Sequence, residues 1–138
     1  MDLKQELLLA ENQIIGNIAL LICVIGKNSR DKGFRDKFRE VASSLMLIVS
    51  ELSEAMEADR KSLQANYLRR EKLNTIDDAV FKKIFEEDFK DTFQDELADA
   101  VIRIFDLCED RSINLGWHII QKMRYNSLRD KMHGGKKY

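Results

Sequence analysis

The segment IIGNIALLICVI is hydrophobic on nearly every side rather than along one stripe, and it sits within a stretch that predicts a helix from about Leu3 to near Asn28. Such a helix wants cover from two directions. One neighbour comes from its own bundle and the other from a second subunit, so the chain is expected to be a homo-oligomer, a symmetric dimer being the simplest case. A fully interior helix in a monomer is the alternative. SRDKGFRDK, around Gly33, interrupts the periodicity with charge and glycine and reads as a turn. A second helix is expected from about Arg35 to Arg60, with Leu45, Ile48, Val49, Leu52 and Met56 as its core stripe.

From 61 to 90 the pattern weakens and charge rises, which marks a partly helical insertion. Thr75 and Asp78 form a possible capping box for a short helix through Val80 to Phe85. A third long helix opens at Asp91, with Gln94 placed to complete a capping box, and runs to about Glu109. Asn114 caps a fourth, reaching about Met132 before His133, Gly134 and Gly135. The fold class is all-α, a four-helix-bundle core with an insertion between its two acidic helices. Residues 1–138 are taken as a single domain.

Composition supports that class. The chain has 138 residues, 44% of them hydrophobic, with six glycines and no proline to break helices. A net charge of -1 gives no whole-domain attraction to nucleic acid or acidic lipid, so any phosphate binding is local and no stable nucleic-acid binding is expected. MDLKQELLLAENQ lacks a basic n-region, and the run Ile14 to Ile25 is short for a bilayer core of about 30 Å. A cytoplasmic protein without a membrane partner is the expectation, with Cys23 and Cys108 as buried free thiols.

Two acidic motifs carry the candidate chemistry, Glu51-Leu-Ser-Glu54 and Glu96-Leu-Ala-Asp99, each with carboxylates nearly one helical turn apart. Two such helices side by side converge four carboxylates, which need a cation, a shared proton or intervening water. Glu51 and Glu54 share a helical sector with Leu47 and Ala58, and Glu96 and Asp99 share theirs with Thr92 and Arg103. Apolar Leu97, Ala100 and Ile104 flank the second pair on one side and Ile102 on the other. Carboxylates so placed are costly unless compensated, and Mg2+, or Mn2+ in its place, favours oxygen donors. Solvated helix faces are the plainer reading of either motif alone.

Lys122, Tyr125, Asn126 and Arg129 fall on one side of the last helix, followed by His133 and Lys136. They suit phosphate oxygens, or simply complement a helix C-terminus. Arg103 either contacts phosphate or pairs with Asp99 or Asp106 at helical spacing. Phe34 either stacks on a base or staples the start of the second helix. Trp117 reads as core or interface, and His118 as a surface or hydrogen-bonded histidine.

SELSEAMEADR, DELADAVIRIFDL and KMRYNSLRDKMHGGKKY resemble the MazG-like all-α nucleoside triphosphate pyrophosphohydrolases, and KNSRDKGF, with Asn28 and Phe34, is similar to the family's loop after the first helix. The resemblance runs from Lys27 to Tyr138 apart from the insertion. It implies a four-helix core, a homodimer or dimer of dimers, and magnesium held by Glu51, Glu54, Glu96 and Asp99, which are also the catalytic set. It further implies metal-activated water attacking the α-phosphate of a nucleoside triphosphate, with Glu54 as a candidate base. Lys122, Tyr125, Asn126, Arg129, Arg103, Asn28 and Phe34 are the candidate substrate contacts. Two departures bear on the base pocket: 41 residues separate Glu54 from Glu96, and Arg35 stands where relatives often carry tryptophan after the glycine-phenylalanine pair.

The activity these residues imply is magnesium-dependent cleavage of (d)NTP to (d)NMP and pyrophosphate, for sanitation or control of nucleotide pools. The competing readings are the same site acting on a nucleoside diphosphate or phosphoribosyl nucleotide, a non-catalytic helical interaction module, and a nucleotide sensor that binds without turnover.

Overall fold

The structure, a computed structural model, describes residues 2–129. Among them the chain is all-helical and has no strand. The elements are α1 (Leu3–Asp31), α2 (Val41–Arg60), a 3₁₀ helix (Tyr67–Leu73), α3 (Asp78–Asp88), α4 (Phe93–Asp110) and α5 (Leu115–Ser127). Two compact units divide the chain. One comprises residues 1–36 and 105–138, the other residues 37–104, so α4 gives its first three turns to the second unit and its end to the first.

In the first unit α1 opens on a capping box: Asp2 accepts from the Gln5 N–H at 2.8 Å and Gln5 accepts from the Asp2 N–H at 3.1 Å. It runs one turn further than the sequence suggests. Its end is a Schellman motif, with Phe34 N–H on the Ser29 carbonyl and Gly33 N–H on that of Arg30, and Gly33 in the left-handed region at φ 73°. Leu7, Ile22, Gly26 and Ser29 mark the single buried side of α1, while Leu9, Leu20 and Val24 face outward. The fully interior helix is therefore excluded. Within Gln5–Asp31 an 18-residue window reaches a mean hydropathy of 1.9 with 6% of it buried, so the helix is long and apolar enough to cross a membrane by length and composition, and its apolar character extends beyond Ile14–Ile25.

α5 lies on the buried side of α1, where Gly116 permits the approach. A Cβ at Gly116 would stand 3.1 Å from Ile15 Cα and 3.3 Å from Ile18 Cβ. Ile120 beside it is fully enclosed, and Gln121 donates to Glu11 at 2.9 Å. As expected, Asn114 caps α5, accepting from the Trp117 N–H at 3.1 Å. The helix ends at Ser127 rather than Met132, which lies outside the described residues, as do His133 and Lys136.

The turn after α1 is clasped to the end of α4. Arg35 donates to Glu109 and, at 2.5 Å, to Asp106, and Arg30 also donates to Glu109. Gly26 leaves room for the Glu109 side chain. Held by this clasp and by the left-handed Gly33, residues 35–40 form a turn and an extended stretch, so α2 begins at Val41 and not near Arg35. Phe34 accordingly closes α1 and does not staple α2.

In the second unit the buried positions of α2 are Ile48, Glu51, Ala55 and Ala58. Leu45, Val49, Leu52 and Met56 are each about half exposed, which corrects the expected core stripe: the packed face is the one bearing Glu51. Cys23 likewise proves exposed, whereas Cys108 is buried.

The insertion is built rather than loose. Asp77, not Thr75, caps α3, accepting from Ala79 and Val80 N–H at 2.9 and 3.1 Å. Arg69 grips the buried Asp88 through two hydrogen bonds of 2.7 Å, fastening the 3₁₀ helix to α3. Gln94 is spent on the Ala65 N–H at 3.0 Å and on Gln64, so it forms no capping box with Asp91. The start of α4 is capped instead by Thr92, whose hydroxyl accepts from the Asp95 N–H at 3.4 Å.

α2 and α4 end in the same Schellman pattern as α1, but with Ser62 and Ser112 in the left-handed position, at φ 56° and 54°. A side chain there is strained. Ser62→Gly and Ser112→Gly are each expected to stabilise the protein by up to about 1 kcal/mol in urea unfolding, since glycine removes that strain.

A second prediction concerns acid. The guanidinium groups of Arg30 and Arg35 hold the Glu109 carboxyl below the usual carboxylate range. Its contribution is therefore complete above the unfolded value of about 4.3 and is lost as pH falls through the lower folded value. The melting-temperature gap between the parent and Glu109→Gln should be widest near neutrality and close on acidification; a gap that widens would contradict the clasp.

Candidate functional site

Glu51 on α2 and Glu96 and Asp99 on α4 each place a carboxylate oxygen within 4.8 Å of the other two. All three belong to the second unit. The spacing of three between Glu96 and Asp99 turns both toward the same side of α4, and Glu51 reaches them from the buried face of α2. Ala55 and Ala58 keep the following turns of that face small. Glu51 and Glu96 are buried, while Asp99 keeps contact with solvent.

The electrostatics follow from this crowding. Burial is the first cause that raises Glu96 above the ordinary carboxylate value, followed by the charges of Glu54, Glu51, Asp95 and Asp99. Asp99 is raised too, first by the protein around its carboxyl and next by Asp95 and Glu51, with Arg103 opposing. The Glu96 carboxylate has no hydrogen-bond or ion-pair partner among the described residues, while its N–H donates to the Thr92 carbonyl at 3.0 Å. Glu51 has one: the Arg103 Nε donates to its Oε1.

Of the four carboxylates named from the sequence, three lie within 4.8 Å of one another, and the fourth, Glu54, is the first charge acting on Glu96. Glu54 is exposed, accepts from the Ser50 hydroxyl at 3.2 Å and stands outside the triplet, although its charge is felt there. Arg103 pairs with neither Asp99 nor Asp106, the helical-spacing alternatives, but across helices with Glu51. Asp95 is the contributor that sequence reasoning missed; its signal was present, an acidic residue directly before Glu96 in DELAD. It also receives the Asp91 N–H at 3.0 Å, which fixes the entry to α4.

The proposed substrate contacts, Arg103 apart, lie in the first unit. Lys122, Tyr125 and Asn126 share an exposed face of α5, with the Lys122 Nζ 5.2 Å from the Tyr125 ring centroid. Arg129 follows the helix end, its N–H on the Asn126 carbonyl at 3.1 Å. Asn28 is exposed in the last turn of α1, and Phe34 is exposed just beyond it. Trp117, expected in a core or interface, is half exposed and meets His118 edge-on at 4.9 Å. Arg35 is committed to Asp106 and Glu109, and its Nε is buried without a partner among the described residues.

The donor set fits a hard divalent cation. Three carboxylate oxygens lie within 4.8 Å of one another, and Glu96 is a buried residue whose carboxylate has no protein donor among the described residues. Comparison with protein-family models, curated proteins and solved structures finds no match for this chain.

Because the folded protein holds Glu96 above its unfolded value, the charged carboxylate costs stability in full above the folded value, and the cost is relieved as pH falls through it. Glu96→Gln should therefore raise the melting temperature of metal-free protein at neutral pH, and the gain should shrink toward pH 4. A neutral-pH loss of stability would show that Glu96 has a compensating partner.

Proposed function

We propose that the chain is a magnesium-dependent nucleoside triphosphate pyrophosphohydrolase with a four-helix core of the MazG-like kind, releasing pyrophosphate from (d)NTP and leaving (d)NMP. The observation that carries this reading is the convergence of Glu51, Glu96 and Asp99 within 4.8 Å with Glu96 unpartnered. The double acidic motif and the Lys122, Tyr125, Asn126 series add the chemical class, because they resemble that family's combination.

In this reading Glu51, Glu96 and Asp99 hold Mg2+, with Mn2+ a possible substitute. A divalent cation held there would neutralise phosphate charge and make water a better nucleophile. The water oxygen bonds to the α-phosphorus, the bridge to the β-phosphate breaks, and pyrophosphate leaves. Glu54, exposed and outside the triplet, accepts the water proton. Lys122, Asn126 and Arg129 have the chemistry to hold phosphate oxygens through charge-assisted hydrogen bonds, and Tyr125 shares their exposed face.

A second copy of the chain completes the assembly by covering the apolar faces of α1 and α2, where Leu9, Leu20, Leu45 and Met56 stand exposed. Isologous pairing of such faces gives a homodimer or a dimer of dimers. The protein acts in the cytoplasm, on nucleotide pools.

The test is product analysis over a panel of natural and damaged nucleoside triphosphates with magnesium. Pyrophosphate and monophosphate are expected from the parent, with at least about a 100-fold loss in Glu96→Gln and Asp99→Asn that keep their circular dichroism, because removing a ligand exceeds removing its support. Monophosphate plus orthophosphate from nucleoside diphosphates added to the panel, with the triphosphates left intact, would move the reading to a nucleoside diphosphate substrate. No turnover of any triphosphate would end it.

A further inference from the structure

We propose that Arg103 is a resident counter-ion that occupies Glu51 in the metal-free protein and gives it up when a divalent cation enters the carboxylate triplet. This rests on the metal reading of that site. Two observations lead to it, and they concern different residues. The first is that Glu51, one of the three converging carboxylates, already accepts from the Arg103 Nε, whereas Glu96 beside it, more than nine-tenths buried, has no such donor. The second is the asymmetry of the pair: the Glu51 side chain is 8% exposed and that of Arg103 is 39% exposed.

A buried carboxylate without a cation is costly, so Glu51 needs Arg103 while the site lacks metal. A cation that bonds all three carboxylates removes that need. Arg103 stands one turn beyond Asp99 with its guanidinium partly in water, so it leaves Glu51 by rotating about its own side chain, without moving α4. Glu51 is then exchanged from five-donor guanidinium to metal, and the guanidinium becomes free on the same side of α4 to meet an anionic ligand of that metal.

Metal and anion binding are consequently coupled: the cation releases the group that holds the anion, and by reciprocity the anion tightens the cation. The arrangement also sets a selection rule. Because the guanidinium competes for Glu51, cations that cannot engage all three carboxylates do not repay its displacement.

Titration calorimetry with Mg2+ and with Mn2+, without nucleotide and in 0.15 M salt, reads the exchange directly. Arg103→Gln should bind metal about tenfold tighter than the parent, the scale of one hydrogen bond to a charged group. Lys61→Gln, which removes an exposed cation from the end of α2, should stay within about twofold, since contributions beyond about 8 Å are screened at that salt. Arg103→Lys, which keeps a cation but loses the planar fork, should fall between and serves if the glutamine variant does not fold.

In the parent, the Arg103 Nε–H resonance, assigned by its loss in Arg103→Lys, should shift with the same midpoint as the heat. An affinity unchanged by both Arg103 substitutions, or a resonance that stays fixed at metal saturation, would overturn the exchange while leaving the metal site standing. Absence of metal binding in the parent and in every variant would overturn the site itself.

Discussion

Three carboxylates within 4.8 Å of one another, two of them largely out of water, form an arrangement that folding alone disfavours. Like charges so close repel, and desolvation adds to the repulsion. The rest of the second unit has to supply what holds them there: the small face of α2 at Ala55 and Ala58, the cap at Thr92 that fixes where α4 starts, and Arg103 as the one cation placed on Glu51 among the described residues. The insertion shares in this, since Gln94 is tied to Ala65 and Gln64 and the Phe93 N–H reaches the Leu63 carbonyl at 2.9 Å.

Charge is handled differently in the two units. In the first, Glu109 and Asp106 are matched by Arg30 and Arg35, and the carboxyl of Glu109 is pulled down. In the second, Asp88 is matched by Arg69 and pulled down likewise, whereas Glu96 and Asp99 are left short of cations and pushed up. The shortage of cations at this group, against the pairing of Asp88, Asp106 and Glu109, is the physical content of the proposed metal site.

The remaining conflict between sequence and structure lies in the apolar faces. α1 is covered on one side, and the larger hydrophobic stripe of α2 stands about half exposed. These exposed apolar faces are the ones the proposed assembly would cover.

Helix positions and the acidic spacing were legible in the sequence because both are local. A period of 3.6 residues, the absence of proline and a separation of three residues between Glu96 and Asp99 determine which side chains share a helical face before any packing occurs. Asn114 as a cap was readable for the same reason, since its partner is three residues away. Tertiary structure decided the rest. Which face of α2 is buried, that Glu51 comes within 4.8 Å of Glu96 and Asp99, and that Arg103 reaches Glu51 and not Asp99 all depend on partners on other helices. So does the clasp of Arg35 that delays α2 to Val41. Covalent geometry dictates what a residue shares a face with; only packing dictates what that face meets.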